Sequence, residues 1–410
     1  MFLAKILGKN RLKFLSLAFF VITLIFSPCL LNFELPFLGS SSVDFSVNAQ
    51  IVQLENTQQD TKLEIAQNLP TPKSSEKTSQ EQEEIIDFFK MAMGAIAGLV
   101  LFIYGVTRLS EGLEDIGTAR MKNLLSKFTT NRFAGVLTGA VATTLLESSS
   151  VTIIMVIAMV SAGVLTFVQS LGVVLGSNIG TAVGAQIISL KIEQYVPILM
   201  FVGLLVLFLG KTKTQKNIGI IMLGFGLMFY GLEAIDEAMK PFRNYQPFID
   251  LMQSLGKNPL LGAIIGAIVT VIIQSSSATV AIVVTLAGSG LISLPAGVAI
   301  MLGAEVGTCA DTLLATIGRG RPALRTGVFH FLFNLISAIV GIIFAPLLVQ
   351  LIQAISGGAG VGRQIANAQI IFNFIGVAAV IMFLPLIVRG LEKLIPDAKG
   401  DSELKVKTGA

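Results

Sequence analysis

The triplet Ser-Ser-Ser occurs twice inside long apolar runs: Ser148, Ser149 and Ser150 follow Glu147, and Ser275, Ser276 and Ser277 follow Gln274. A serine hydroxyl donates or accepts a hydrogen bond as its neighbour demands. Where a helix restarts, its free N–H groups and positive dipole end favour an anion. A serine tip at a helix restart is therefore a seat for a small oxyanion. Serine oxygens and broken-helix carbonyls also suit a hard cation such as Na+. Two such tips meeting at the middle of a membrane would hold an anion from both sides.

A second duplicated segment lies downstream of each triplet: GSNIGTAVGA at 176–185 and GAEVGTCADT at 303–312. Glycine at both ends permits unwinding, and Asn178, Thr181, Glu305 and Thr308 offer oxygen ligands, so these read as cation-coordinating breaks. A Na+ site is expected among Ser149, Asn178, Ser276 and Glu305. Ionisable residues at membrane depth are functional candidates by default, which singles out Glu147, Glu305 and Asp311. An acid beside an anion would repel it unless protonated or cation-paired, so Glu147 or Glu305 is assigned the coupling ion, Na+ or H+. Close packing through small residues explains the same glycines and serines without any ligand and stays open. His330 reads as a structural hydrogen bonder, and Asn334 and Asn373 as contacts between helices.

The elements that must position these residues form a repeat. With a constant shift of 127, Asn131 meets Asn258, Gly139 meets Gly266, the serines meet each other, Thr152 meets Thr279, and Gly180-Thr181 meets Gly307-Thr308. The matches fall on glycine and polar positions, which chance apolar similarity would not favour. Each copy has a span, two apolar arms (133–147 and 151–165; 260–274 and 278–291), a Gly-interrupted run (168–189; 295–317) and a further span. Each arm is too short to cross a bilayer alone, since about 20 residues are needed. The two arms together make one long helix or a re-entrant hairpin.

The 410 residues are 53% hydrophobic and 13% charged, against about a quarter charged in soluble domains. This is the composition of an integral membrane protein. Spans are expected at 88–107, 196–210, 218–232, 328–352 and 369–388. The net charge of +4 gives no sign of nucleic acid as a partner, and two distant cysteines imply no disulfide or metal framework. If the serine pairs turn back, the second repeat is inverted. The basic residues then divide roughly two to one between the faces. The richer face holds Arg120, Lys122, Lys127, Arg132, Lys211, Lys213, Lys216, Arg319, Arg321, Arg325, Arg389 and Lys393, and should be cytoplasmic.

The expected fold is an all-α integral membrane protein. It has two inverted repeats, each with a re-entrant helical hairpin carrying a Ser-Ser-Ser tip and a broken helix. Residues 1–49 are a signal peptide or an N-terminal span, 50–87 a disordered extracytoplasmic linker, and 88–213 the first repeat. Residues 214–355 are the second repeat, 356–390 a C-terminal span, and 391–410 a cytoplasmic tail.

The paired ESSSV (147–151) and QSSSA (274–278), each followed by a Gly-x-x-Gly-Thr segment, resemble the Na+/phosphate cotransporter family, type II and its bacterial members. The likeness covers about 88–390. It implies a sodium-driven symporter for inorganic phosphate in a bacterial inner membrane, with Na+ as coupling ion and no other cofactor. It places the transport site at Gln274, Ser275, Ser276 and Ser277 and at Ser148, Ser149 and Ser150, with Asn178, Thr181 and Thr308 from the second motif. Glu147 stands where the family pattern has Gln, and Glu305 where it has Asn. The expected mechanism is alternating access without covalent chemistry. The expected partners are inorganic phosphate, Na+ and the lipid bilayer, with a homodimer left open. Symport of another small anion, such as sulfate or a carboxylate, and a passive anion channel remain as alternatives. A built-in ATPase is disfavoured because no G-x-x-x-x-G-K-[ST] is present. A serine enzyme is disfavoured because neither triplet has a His or Lys close in sequence.

Overall fold

The computed structural model describes residues 87–190 and 193–397. The expected signal peptide or first span, the linker up to residue 86, and residues 398–410 of the tail lie outside the described residues. The described chain is helical, with no strand.

A long helix α1 (Phe88–Phe128) begins at Asp87, whose carboxylate accepts from Lys90 N. Next come α2 (Arg132–Leu146) and α3 (Ser149–Ser161), then α4 (Phe167–Ile188), opened by a capping box of Thr166 and Gln169. The short α5 (Val196–Leu209) leads to α6 (Lys213–Met239), opened by a second such box at Thr212 and Gln215. α7 (Gln246–Lys257) meets α8 (Pro259–Ile273) at a bend of 106°. α9 (Ser276–Gly288), α10 (Leu294–Gly307) and α11 (Cys309–Leu314) follow. The described chain closes with α12 (Arg321–Ile343), α13 (Ala345–Ile355), α14 (Val361–Ile381) and α15 (Leu384–Leu394).

Among the described residues, six stretches are long and apolar enough to cross a membrane: Phe88–Phe128, Phe167–Ile188, Lys213–Asn244, Leu294–Leu314, Arg321–Ile343 and Val361–Ile381. Bulky apolar side chains stand on the outer surface, among them Phe208 at 76% and Leu209 at 74% exposure. In water such a surface would drive aggregation; in hydrocarbon it has no such tendency. The chain is a membrane protein.

The expected spans need three corrections. The run 328–352 is interrupted at Phe344, where α12 ends and Pro346 opens α13. The run 369–388 stops at Ile381, and Pro385 opens α15 two residues beyond Phe383. Proline lacks the N–H that would continue a helix and belongs in a first turn. α5, with 14 residues, is about 21 Å long at 1.5 Å per residue, short of a full crossing.

The inner layer is made of α4 and α10, buried on nearly every face. α4 packs along α2, and α10 along α8. Leu171, Val174 and Leu175 of α4 meet Ile153 and Ile157 of α3, Phe329 and Phe333 of α12, and Val377 and Ile381 of α14. α12, in the stretch read as the second repeat, thus packs on α3 and α4 of the first. Its first turn is fixed by Arg325, which is 2% exposed. Arg325 Nε and Nη2 donate to Ile395 O at 2.8 and 2.7 Å, and Nη2 pairs with Asp397 at 2.6 Å. This arginine, counted above among the face charges, is a staple between α12 and the segment after α15.

Candidate functional site

The two halves turn at their serines in the same way. α2 ends at Leu146; Glu147 then takes φ 50°, ψ 26°, and Ser148 is extended at φ −153°, ψ 113°. α8 ends at Ile273; Gln274 takes φ 58°, ψ 26°, and Ser275 is again at φ −153°, ψ 113°. Glu147 and Gln274 are the only non-glycine residues with positive φ among the described residues. Left-handed backbone costs a non-glycine residue about 1–2 kcal/mol, and such strain concentrates at functional sites.

Ser148 Oγ accepts from Val151 N, and Ser275 Oγ accepts from Ala278 N, both at 3.2 Å. The first serine of each triplet therefore caps the second arm. Thr143 Oγ1 then donates to Thr152 Oγ1 at 3.0 Å, and Thr270 Oγ1 to Thr279 Oγ1 at 2.9 Å. In a continuous helix, residues nine apart are separated by about 13.5 Å along the axis. The arms therefore fold back on each other at the serines.

The glycines of the second motif let α4 and α10 approach these hairpins. A Cβ on Gly180 would stand 2.6 Å from Ala140 O and 2.7 Å from Thr143 Cβ. A Cβ on Gly307 would stand 2.5 Å from Ala267 O and 2.7 Å from Thr270 Cβ. The duplication is thus repeated in packing to within tenths of an ångström. It also explains why α4 does not break at Gly180-Thr181 as expected: it runs unbroken from Phe167 to Ile188. A mid-helix glycine costs only about 1 kcal/mol, and here each one admits a neighbouring backbone. The second copy does divide, at Thr308, between α10 and α11.

A cavity of about 270 Å³ opens beside the second tip, large enough for several waters at roughly 30 Å³ each. Its polar wall is Ser110, Thr144, Glu147, Ser275 and Ser277, and Gly184 of α4 also lines it; its apolar wall includes Phe102 and Phe225. No protein group among the described residues hydrogen-bonds the Glu147 carboxyl. Ser148, Ser149, Ser150, Gln274 and Ser276 do not line this cavity. Ser149 and Ser276 are buried, and Gln274 is exposed.

Each tip reaches the opposite half. Ser150 Oγ lies 3.3 Å from Thr308 Oγ1 of the second motif. Ser277 shares the cavity wall with Gly184 of α4.

The remaining predicted residues sit elsewhere. Asn178 donates to Val174 O at 2.9 Å and Thr181 to Ser177 O at 3.0 Å, both within their own helix. Glu305 is 1% exposed. Its Oε1 accepts from Gln369 Nε2 at 3.0 Å and Asn373 Nδ2 at 3.1 Å, both on α14. His330 Nδ1 lies 2.8 Å from Thr312 Oγ1, and Asn334 Nδ2 donates to Cys309 Sγ at 3.4 Å. Sequence reasoning missed Thr144, Gly184 and Gln369. The i, i+4 pair Gln369 and Asn373 in an apolar helix was the signal for the last.

The Na+/Pi-cotransporter family profile matches residues 101–237 and 244–378. The chain is 27% identical to the protein YqeW of Bacillus subtilis over 288 residues, 70% of this chain and 92% of that one. It is 27% identical over 314 residues to the "Putative inorganic phosphate export protein YjbB" of Salmonella typhimurium, 76% of this chain and 57% of that one. The chain thus spans little more than half the length of YjbB. Over 93 residues it is 39% identical to the human "Sodium-dependent phosphate transport protein 2B", 21% of this chain and 14% of that one. No solved structure matches the chain.

Proposed function

Because the chain belongs to the Na+/Pi-cotransporter family, we propose that it carries inorganic phosphate across a bacterial plasma membrane, coupled to Na+, by alternating access. The observation that carries this reading is the meeting of the serine tips with the second motifs of the opposite halves. One of these meetings is at a cavity that combines hydroxyl donors with a carboxyl. Each hairpin is re-entrant, and the second repeat is inverted relative to the first. The C-terminus is cytoplasmic, on the face richer in Lys and Arg.

Phosphate oxygens accept from Ser277, Ser275 and Thr144 at the cavity wall, and the restarting α9 supplies its positive end. Na+ takes hydroxyl and carboxyl oxygens from the same surroundings, which offsets the repulsion between Glu147 and the anion. Apolar residues such as Phe102 and Phe225 close the site against lipid. The protein does no covalent chemistry: it binds, encloses and releases.

The test is uptake of labelled phosphate into proteoliposomes under an inward Na+ gradient, against an equal K+ gradient. Accumulation above equilibrium, lowered by unlabelled phosphate and not by sulfate, is the expected result. No accumulation by folded protein in either gradient overturns the reading. A hydrogen bond to a charged group is worth about 1.5–3 kcal/mol, or roughly tenfold or more in affinity. Ser277→Ala, which removes a wall hydroxyl without touching the cap at Ser275, is therefore expected to raise the phosphate concentration for half-maximal uptake at least about tenfold.

A second reading, efflux from the cell, is favoured by the likeness to YjbB, named as a phosphate export protein. Right-side-out and inside-out vesicles separate the two by the side from which labelled phosphate is taken.

A further inference from the structure

The cavity beside the second tip has one carboxyl and no Lys or Arg on its wall. Hydroxyls can hold an anion there, but nothing on that wall attracts one from a distance; a base beyond it has to. On the face poorer in bases, Lys90, Lys240, Arg243 and Lys257 are exposed, where water and salt screen them. Arg363, the third residue of α14, is instead half-buried.

Its Nη1 donates at 3.2 Å to Oγ of Ser189, the residue that follows α4. The Ser189 hydroxyl gives its own proton to Gln186 O at 2.7 Å, so a lone pair is left for the guanidinium. Ile187 and Ile188, just before Ser189, line the cavity. The guanidinium is thus anchored to the turn of α4 that forms part of the cavity wall. The backbone of α14 is fixed there as well. A Cβ on Gly362, beside Arg363, would run into Val284 O of α9, the helix that starts at the second tip.

The polar groups nearby are committed to each other. Gln186 Nε2 donates to Asn367 Oδ1 at 3.0 Å, Asn367 Nδ2 to Ser356 Oγ at 3.1 Å, and Gln364 Nε2 to Ala359 O at 2.6 Å. No carboxylate pairs with Arg363 among the described residues. A guanidinium has five N–H donors, and here one has a protein partner. Arg325 is the contrast: it is buried and closed by Ile395 O and Asp397. A charge drawn partly out of water without a counter-charge is costly. An open guanidinium fork matches two oxygens of a tetrahedral oxyanion at once.

We propose that Arg363 is an anion-capture site on the outer approach to the cavity, where its guanidinium takes two oxygens of a phosphate group before the anion reaches Ser275 and Ser277. The inference rests on the transport reading, which places this face outside, and adds to it a positioning residue that lies in neither duplicated motif.

The test is phosphate exchange in right-side-out and inside-out vesicles loaded with unlabelled phosphate, with equal Na+ on both sides. Neither the direction of net transport nor its coupling then enters. Arg363→Gln is expected to raise the half-saturating phosphate concentration about tenfold from the outer face, the value of a charged hydrogen bond, and to leave it unchanged from the cytoplasmic face. Arg363→Lys keeps the charge without the fork and should fall between. Arg243→Gln removes an exposed charge from the same face and should match wild type. If Arg363→Gln does not fold, Arg363→Lys and Ser189→Ala, which frees the anchored guanidinium, carry the test by a smaller rise on the outer face alone. A half-saturation unchanged from both faces, or raised equally from both, overturns the proposal.

A second arm needs no transport. Melting of the purified protein in lipid-free detergent is followed against inorganic phosphate, with chloride at equal ionic strength. Wild type should be stabilised by phosphate, and Arg363→Gln should need about tenfold more for the same gain. That pattern in a protein that exchanges no phosphate would keep the capture site and sink the transport reading; exchange without the outer-face effect would sink the capture site alone. Phosphatidylglycerol added in place of phosphate tests the other source of the same chemistry. Stabilisation through Arg363 by this lipid and not by inorganic phosphate would make the residue a lipid anchor and overturn the proposal.

Discussion

Gly303→Ala is expected to remove most of the folded protein, and Gly176→Ala to do the same in the first half. A Cβ on Gly303 would run into the carbonyl of Ala263 on α8, and one on Gly176 into the carbonyl of Val136 on α2. Both obstacles are backbone, so no side chain can turn aside. Relief requires α10 to move off α8, or α4 off α2, and those two pairs carry the serine hairpins. Overpacking by a methyl group in a rigid core costs about 1–3 kcal/mol and occasionally more. A clash with main chain belongs at the upper end, about 3 kcal/mol. Gly288→Ala is the control, because nothing lies within 4 Å of its added Cβ; it should change stability by less than about 1 kcal/mol. Thermal unfolding in detergent reads all three. Gly303→Ala melting with wild type would show that the α8–α10 contact has room for a methyl group.

Glu305→Ala is the second large effect. Its carboxyl is the shared acceptor for Gln369 and Asn373, and all three residues are buried. Removing it orphans two amide donors inside the protein, each at about 1–3 kcal/mol, so a loss of about 2–5 kcal/mol is expected. Asn373 keeps a bond to Gln369 O at 3.0 Å, which tempers its share. Glu305→Gln retains an acceptor oxygen but brings an NH2 group against the two donors, so it should fall between wild type and alanine. The loss should be equal in Na+ and in choline if the carboxyl chiefly holds α14 to α10. A deficit seen only in Na+ would assign Glu305 to the coupling ion instead. The double variant Glu305→Ala/Gln369→Ala should cost less than the sum of its parts, since the two share one bond.

Much of this arrangement was legible before any coordinates. The 127-residue shift, the apolar arms and the tip serines all lie in the linear pattern, because helix breaks in hydrocarbon must be written in polar and glycine residues. What misled was the glycine signal. Gly176 and Gly180 read as an unwound segment, yet they sit in a continuous helix. From sequence alone, a glycine that unwinds a helix and one that admits a neighbour look alike. Only the position of the carbonyls of Val136 and Ala140 separates the two uses. Prolines marked the ends of α12 and α14 more truly than hydropathy did, since hydropathy does not register a missing N–H.

The sequence by itself determined a membrane protein, its duplication, its two serine turns and the acids near them, because composition and spacing record which groups leave the apolar solvent. Only the tertiary structure decided which of those groups meet. Residues far apart in sequence are brought together by packing: Ser150 to Thr308, Glu305 to Gln369, and Glu147 and Ser277 onto one cavity wall. That packing depends on backbone contacts which no single residue type encodes.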